Sequence, residues 1–126
     1  MPDTVKDMVA SANAAIPRMS PEELRGWLNR GDVLVVDVRD APELTQGGKL
    51  KGAVHVPRGM LEFRADPASP CHSPAFEKEK SVVLYCASGG RSALAGKALQ
   101  ELGYRSVYSA GGFKDLVQAG LPIEPA

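Results

Sequence analysis

Two short apolar runs, Val33-Leu34-Val35-Val36 and Val82-Val83-Leu84-Tyr85, constrain this chain more than anything else in it. Neither alternates apolar with polar residues, so each suits a strand covered on both faces. Two shorter runs, Ala53 to Val56 and Ser106 to Ser109, read as further strands, the first stopped by Pro57. Between and after them lie helical patterns. Leu94, Ala95, Ala98, Leu99 and Leu102 form one face of a helix over Ala93 to Leu102, ended by Gly103. Strands alternating with helices imply βαβ units. The expected fold is an α/β domain with a central, mostly parallel sheet of about five strands and helices on both faces.

Several helix ends are written in the residues. Ser20-Pro21-Glu22-Glu23 is a capping box with proline at the first helical position. Leu24, Trp27 and Leu28 then form a buried stripe, and Gly31 is placed to end that helix. Thr4 to Ile16 carries apolar residues at helical spacing, with Thr4 as its cap; it is either a packed helix or a loosely docked extension. Glu43 to Gly48 reads as a turn or short helix and Gly59 to Arg64 as a short helix. Asp66 to Ser73 is a loop, Ala110-Gly111-Gly112 a turn, and Phe113 to Ala119 a last helix.

The chain's 126 residues suit one core. Fifteen basic residues balance fifteen acidic ones, which points away from nucleic acid and anionic membranes as partners. No apolar run approaches the ~20 residues of a membrane span, and Met1 to Met19 lacks the pattern of a secretory signal. The expected location is cytoplasmic, where thiols stay reduced, so Cys71 and Cys86 are read as free or catalytic thiols. Cys71, His72, His55 and Cys86 lack paired metal-ligand spacing, and neither a metal nor a cofactor is expected.

Chemistry concentrates at Cys86-Ala87-Ser88-Gly89-Gly90-Arg91-Ser92. A buried strand ends in the cysteine, a glycine-bearing loop follows, and a helix begins. Such a turn encloses the sulfur in backbone N–H groups at the positive end of a helix dipole, an environment that favours a thiolate. Cys86 is the expected nucleophile, with Ala87, Ser88, Gly89, Gly90, Arg91 and Ser92 forming the substrate cradle. A small buried apolar role for Cys86 is the alternative. Asp37, Arg39 and Ala110-Gly111 also follow strands, and sites in such sheets form beyond the strand carboxyl ends. Arg91 is expected to hold an anion or brace the loop, with Asp37 as its supporting partner. Arg39 and Arg58 either add positive potential at the pocket mouth or are ordinary surface residues. Cys71 is either a resolving thiol or an incidental one.

From Ile16 to Pro122 the chain resembles a single-domain rhodanese. The resemblance rests on Asp37-Val38-Arg39, on Gly48 to Pro57, on Cys86 with Gly89, Arg91 and Ser92, and on Gly111-Gly112-Phe113, in that order. Lys49 and Lys51 depart from the family's usual His and Pro, and Leu116 stands where a tryptophan is frequent. The resemblance implies an N-terminal helical extension over 1–15 and a rhodanese-like domain over 16–126. It implies a sulfurtransferase: Cys86 takes a sulfane sulfur from a donor such as thiosulfate or a persulfide and yields it to cyanide or a thiol. A protein acceptor is also compatible, as is a sulfur-carrier or partner-binding module with little turnover. A cysteine-based phosphatase or arsenate reductase is disfavoured, because Cys86 through Arg91 spans six residues and those relatives have one more.

Overall fold

The structure, a computed structural model, describes residues 4–126. Strands β1 (Val33–Asp37), β3 (Val54–His55), β4 (Ser81–Cys86) and β5 (Val107–Gly112) form one sheet in the order β3-β1-β4-β5, with every pair parallel. The parallel expectation therefore holds, with four strands in the sheet. The segment Pro17 to Met19 runs along the outer edge of β5: Ser109 N–H donates to Pro17 O and Met19 N–H to Ser109 O. A separate antiparallel pair, β2 (Lys49–Leu50) with β6 (Ile123–Glu124), brings the chain's end back to its middle.

Alternation along the strands divides the core in two. Leu34, Val36, Val82, Leu84 and Cys86 face α5 (Gly90–Glu101) and α4 (Leu61–Ala65), packing on Leu61, Ala65, Ala95 and Leu99. Val33, Val35, Val83 and Tyr85 face α2 (Pro21–Trp27) and α6 (Phe113–Gln118), packing on Leu24 and Leu116. Both faces of β4 are thus covered, which is why its sequence is apolar throughout. Each fully buried leucine among them contributes about 1.5–3 kcal/mol.

The capping box at Ser20 forms as read: Glu23 N–H donates to Ser20 Oγ and Ser20 N–H to Glu23 Oε1, each 3.1 Å. The helix it starts ends earlier than expected, at Trp27, and Gly31 lies in the turn beyond it. Helix α1 (Val5–Ala15) is capped by Thr4 and is a packed element: Ala12 is fully buried, and Gln100 Nε2 on α5 donates to Ala15 O at 3.1 Å. Glu43 to Gly47 falls in the helix α3 (Ala41–Gly47), which Gly48 caps, and Gly59 to Arg64 in a 3-10 turn (Arg58–Met60) running into α4. Helix α5 starts three residues before the expected Ala93. Gly111-Gly112 belongs to β5 and not to a turn, the strand bulging where Cys86 pairs with Gly112. Among the described residues no helix is long and apolar enough to cross a membrane.

Candidate active site

Cys86 is the last residue of β4 and is fully buried. The chain leaves the strand through Ala87 and Ser88 and turns at Gly89, whose φ of +104° a side chain would strain. It enters α5 at Gly90. This turn aims Gly89 N–H at Cys86 Sγ, 2.9 Å away. Ser92 Oγ lies 3.6 Å from the sulfur on the other side. Burial pushes the thiol pKa up. The N–H of Ser92, the Ser92 hydroxyl and the N–H groups of Gly89 and Ser88 outweigh that, leaving it below the ordinary thiol value. The sulfur's negative charge is stabilised by backbone dipoles and a hydroxyl at a helix N-terminus.

The loop is fixed from behind by backbone. A Cβ on Gly112 would fall 2.5 Å from Ala87 O, so only glycine lets β5 approach the loop this closely. A Cβ on Gly89 would meet Gly111 Cα at 3.5 Å, and the Arg18 guanidinium lies against the far side of Gly111. Helix α1 reaches the same place, with Val9 Cγ2 3.7 Å from where a Gly90 Cβ would stand.

Arg91 braces the loop, but through a different partner from the one expected. Its Nη1 and Nη2 donate to the two carboxylate oxygens of Glu43 at 2.8 and 2.9 Å. Glu43 sits at the third position of α3 and also accepts from Asp40 N–H at 2.8 Å. Chiefly through Arg91, the Glu43 carboxyl is lowered to about 2. Asp37 is instead engaged by Arg39, in a buried pair with Nη2 to Oδ2 at 2.7 Å. Arg39 also donates to Gly48 O at 2.7 Å and lies under the Phe113 ring, 4.1 Å from its centroid. It is therefore a buried cation paired with Asp37, not an ordinary surface residue. Arg58 pairs with Glu62 at 2.8 Å and lines a groove of about 280 Å³ with Met8, Leu94 and Lys97.

Ala87 and Ser88 are exposed, while Ser92 is buried. His55 is satisfied by Arg39 O at 2.6 Å. Cys71 is an exposed free thiol. Lys49, one of the departures in the second motif, donates to Ala53 O at 2.8 Å and Glu124 at 2.5 Å, tying β2 to β6. Among the described residues no group of three or more His, Cys, Asp and Glu side chains is placed to hold a metal ion. Sequence reasoning missed Glu43 and Ser109. For Glu43 the spacing with Asp40 marks a capping box at a helix start, though not a partner for Arg91. For Ser109 there was no signal.

The family model for the rhodanese-like domain matches residues 20–119. Thiosulfate sulfurtransferase PspE of Escherichia coli is 36% identical over 81 residues, covering 64% of this chain and 71% of that one. The polysulfide-sulfur transferase homodimer of Wolinella succinogenes is 35% identical, with a TM-score of 0.76, covering 94% of this chain and 85% of that one. A Rhodopseudomonas palustris protein described as of unknown function, and as a possible tyrosine phosphatase, is 40% identical. Its TM-score is 0.89, over 98% of this chain and 99% of that one.

Proposed function

The chain belongs to the rhodanese-like domain family, and from that premise we propose that it is a sulfurtransferase working through a persulfide on Cys86. The observation that carries this reading is a buried sulfur with Gly89 N–H 2.9 Å away at the start of a helix. A thiolate held this way needs no separate general base. In the first half-reaction Cys86 Sγ attacks the outer sulfur of a donor such as thiosulfate. A bond forms between the two sulfurs, the donor's own S–S bond breaks, and sulfite leaves with the electron pair. In the second, an acceptor such as cyanide or a thiol attacks the terminal sulfur, and the Cys86 thiolate is regenerated. Two half-reactions through a covalent enzyme predict ping-pong kinetics. Ala87 and Ser88 border the incoming donor, while the N–H groups of Ser88, Gly89 and Ser92 carry the charge.

A sulfur-carrier module is the second reading of the same cradle, and the similarity to a possible tyrosine phosphatase raises phosphoryl chemistry. Against phosphoryl transfer stands the length of the loop, which from Cys86 through Arg91 spans six residues. The N–H groups of a six-residue loop converge on the sulfur itself. An aryl phosphate is expected to remain unhydrolysed.

The test is intact mass after incubation with thiosulfate. Wild type is expected to gain one sulfur atom, which cyanide removes and which Cys86→Ser does not take up. Wild type that gains nothing from thiosulfate but accepts sulfur from a protein persulfide is a carrier. A gain that persists in Cys86→Ser overturns the assignment.

A further inference from the structure

Ser109 is a serine in the middle of a strand, 1% exposed, with no backbone need for its hydroxyl. Its N–H and C=O are already taken by Pro17 and Met19, and it stands opposite Leu84 in the sheet. A hydroxyl in such a place costs free energy unless it is hydrogen-bonded. The side-chain partner it has is Ser92 Oγ, at 2.9 Å.

Ser92 Oγ is in turn shared by three groups: Ser109 Oγ, Gly89 O at 3.1 Å and Cys86 Sγ at 3.6 Å. One serine hydroxyl has one hydrogen. With Cys86 as a thiol, the S–H points to Ser92 Oγ and Ser92 gives its hydrogen to Gly89 O. Once Cys86 is ionised, the sulfur only accepts, and Ser92 serves it only by turning its hydrogen away from Gly89 O. The lone pairs of Ser92 Oγ then need a donor behind them, and Ser109 is the hydroxyl in place to supply it. Hydrogen bonds in series strengthen one another in a buried setting.

We propose that Ser109 is a positioning residue: its hydroxyl donates to Ser92 Oγ and thereby directs the Ser92 hydrogen to the Cys86 thiolate. No proton changes owner in this step: the Ser92 hydroxyl rotates while Ser109 keeps donating to it, and no covalent bond is made or broken. When the sulfur becomes a persulfide, its charge moves to the outer atom, and the Ser92 hydrogen is released to Gly89 O. The pair thus follows the charge through the cycle.

This inference rests on Cys86 being the reactive thiol, but its test uses no sulfur donor. The rate of iodoacetamide alkylation is followed against pH, with Cys86 resolved from Cys71 by peptide mass. Ser109→Ala is expected to move the midpoint of the Cys86 profile to higher pH and to slow alkylation several-fold below it. Ser92→Ala is expected to do so more strongly, and Ser92→Ala/Ser109→Ala no more than Ser92→Ala alone. Ser109→Thr, which keeps the hydroxyl, is expected to restore the wild-type midpoint. An unchanged midpoint in Ser109→Ala overturns the proposal. So does a double variant in which the two shifts add, or a threonine variant that behaves like alanine. If wild type takes up no sulfur yet these shifts appear, the proposed function fails and the role of Ser109 stands.

Discussion

At the scale of single residues, the site holds a sulfur whose thiolate form is favoured by dipoles, and arginines neutralised by carboxylates. The thiolate predicts that Cys86 alkylation is half-maximal below the ordinary thiol pKa of ~8.5; a midpoint at or above that value contradicts the cradle. The Arg91–Glu43 pair predicts an acid-dependent stability difference. Glu43 is lowered to about 2 from an ordinary 4.5, so its contribution is complete above about pH 4.5 and fades as pH falls toward 2. The two side chains are 35% and 34% exposed, so the contribution is at most about 1 kcal/mol. Urea unfolding of wild type and Glu43→Gln should therefore differ at pH 7 and converge near pH 2; a constant gap refutes the assignment. Asp37 is a different case, because its partner Arg39 is 4% exposed. Asp37→Asn leaves a guanidinium buried without its counter-charge and should lower unfolding free energy by about 3 kcal/mol. Nothing in the sequence revealed either pairing. Arg91 and Glu43 are 48 positions apart, and only the fold decides that Asp37 meets Arg39 first.

At the scale of elements, the strand–loop–helix unit is held by glycines on both sides. Gly89→Ala combines a φ of +104° with contact against Gly111. It should cost about 1–2 kcal/mol and move the Cys86 midpoint upward, because the strained turn no longer aims its N–H at the sulfur. Calorimetry and the alkylation profile together check this, and loss of stability without a shifted midpoint argues that the turn does not tune the thiol. The legible elements were those with a long period or a chemical cap: α2 from its capping box, β1 and β4 from unbroken apolar runs, and the middle of α5. The illegible ones lacked such signals. The strands β2 and β6 are two residues each, too short for any periodicity. Gly111 and Gly112 read as a turn because glycine is common in turns, yet they complete β5, where the Ala87 carbonyl at Gly112 and the Arg18 guanidinium at Gly111 leave no room for a side chain. The early start of α5 was hidden for a similar reason, since its cap is a glycine with no side chain to announce it.

At the scale of the whole molecule, α1 lies outside the segment matched by the family model, yet it packs on α5 and touches that helix at its start, at Gly90. We propose that residues 1–15 are an extension added to a domain that folds over 16–126. Deleting them should leave a cooperatively unfolding protein of lower Tm that still gains sulfur; a chain that no longer folds would make α1 part of the core. The close approach of Gly112 to Ala87 O has a consequence for how this protein can change. The back of the loop is backbone against backbone, with no side chain to exchange, so mutation has nothing to vary there. Variation is open on the solvent side, at the side chains of Ala87 and Ser88, which are exposed while the backbone of the same two residues carries that contact. New preferences for one sulfur compound over another, whether selected or engineered, should therefore arise from those two positions, while the part of the sulfur's acidity set by the loop backbone is inherited with the fold.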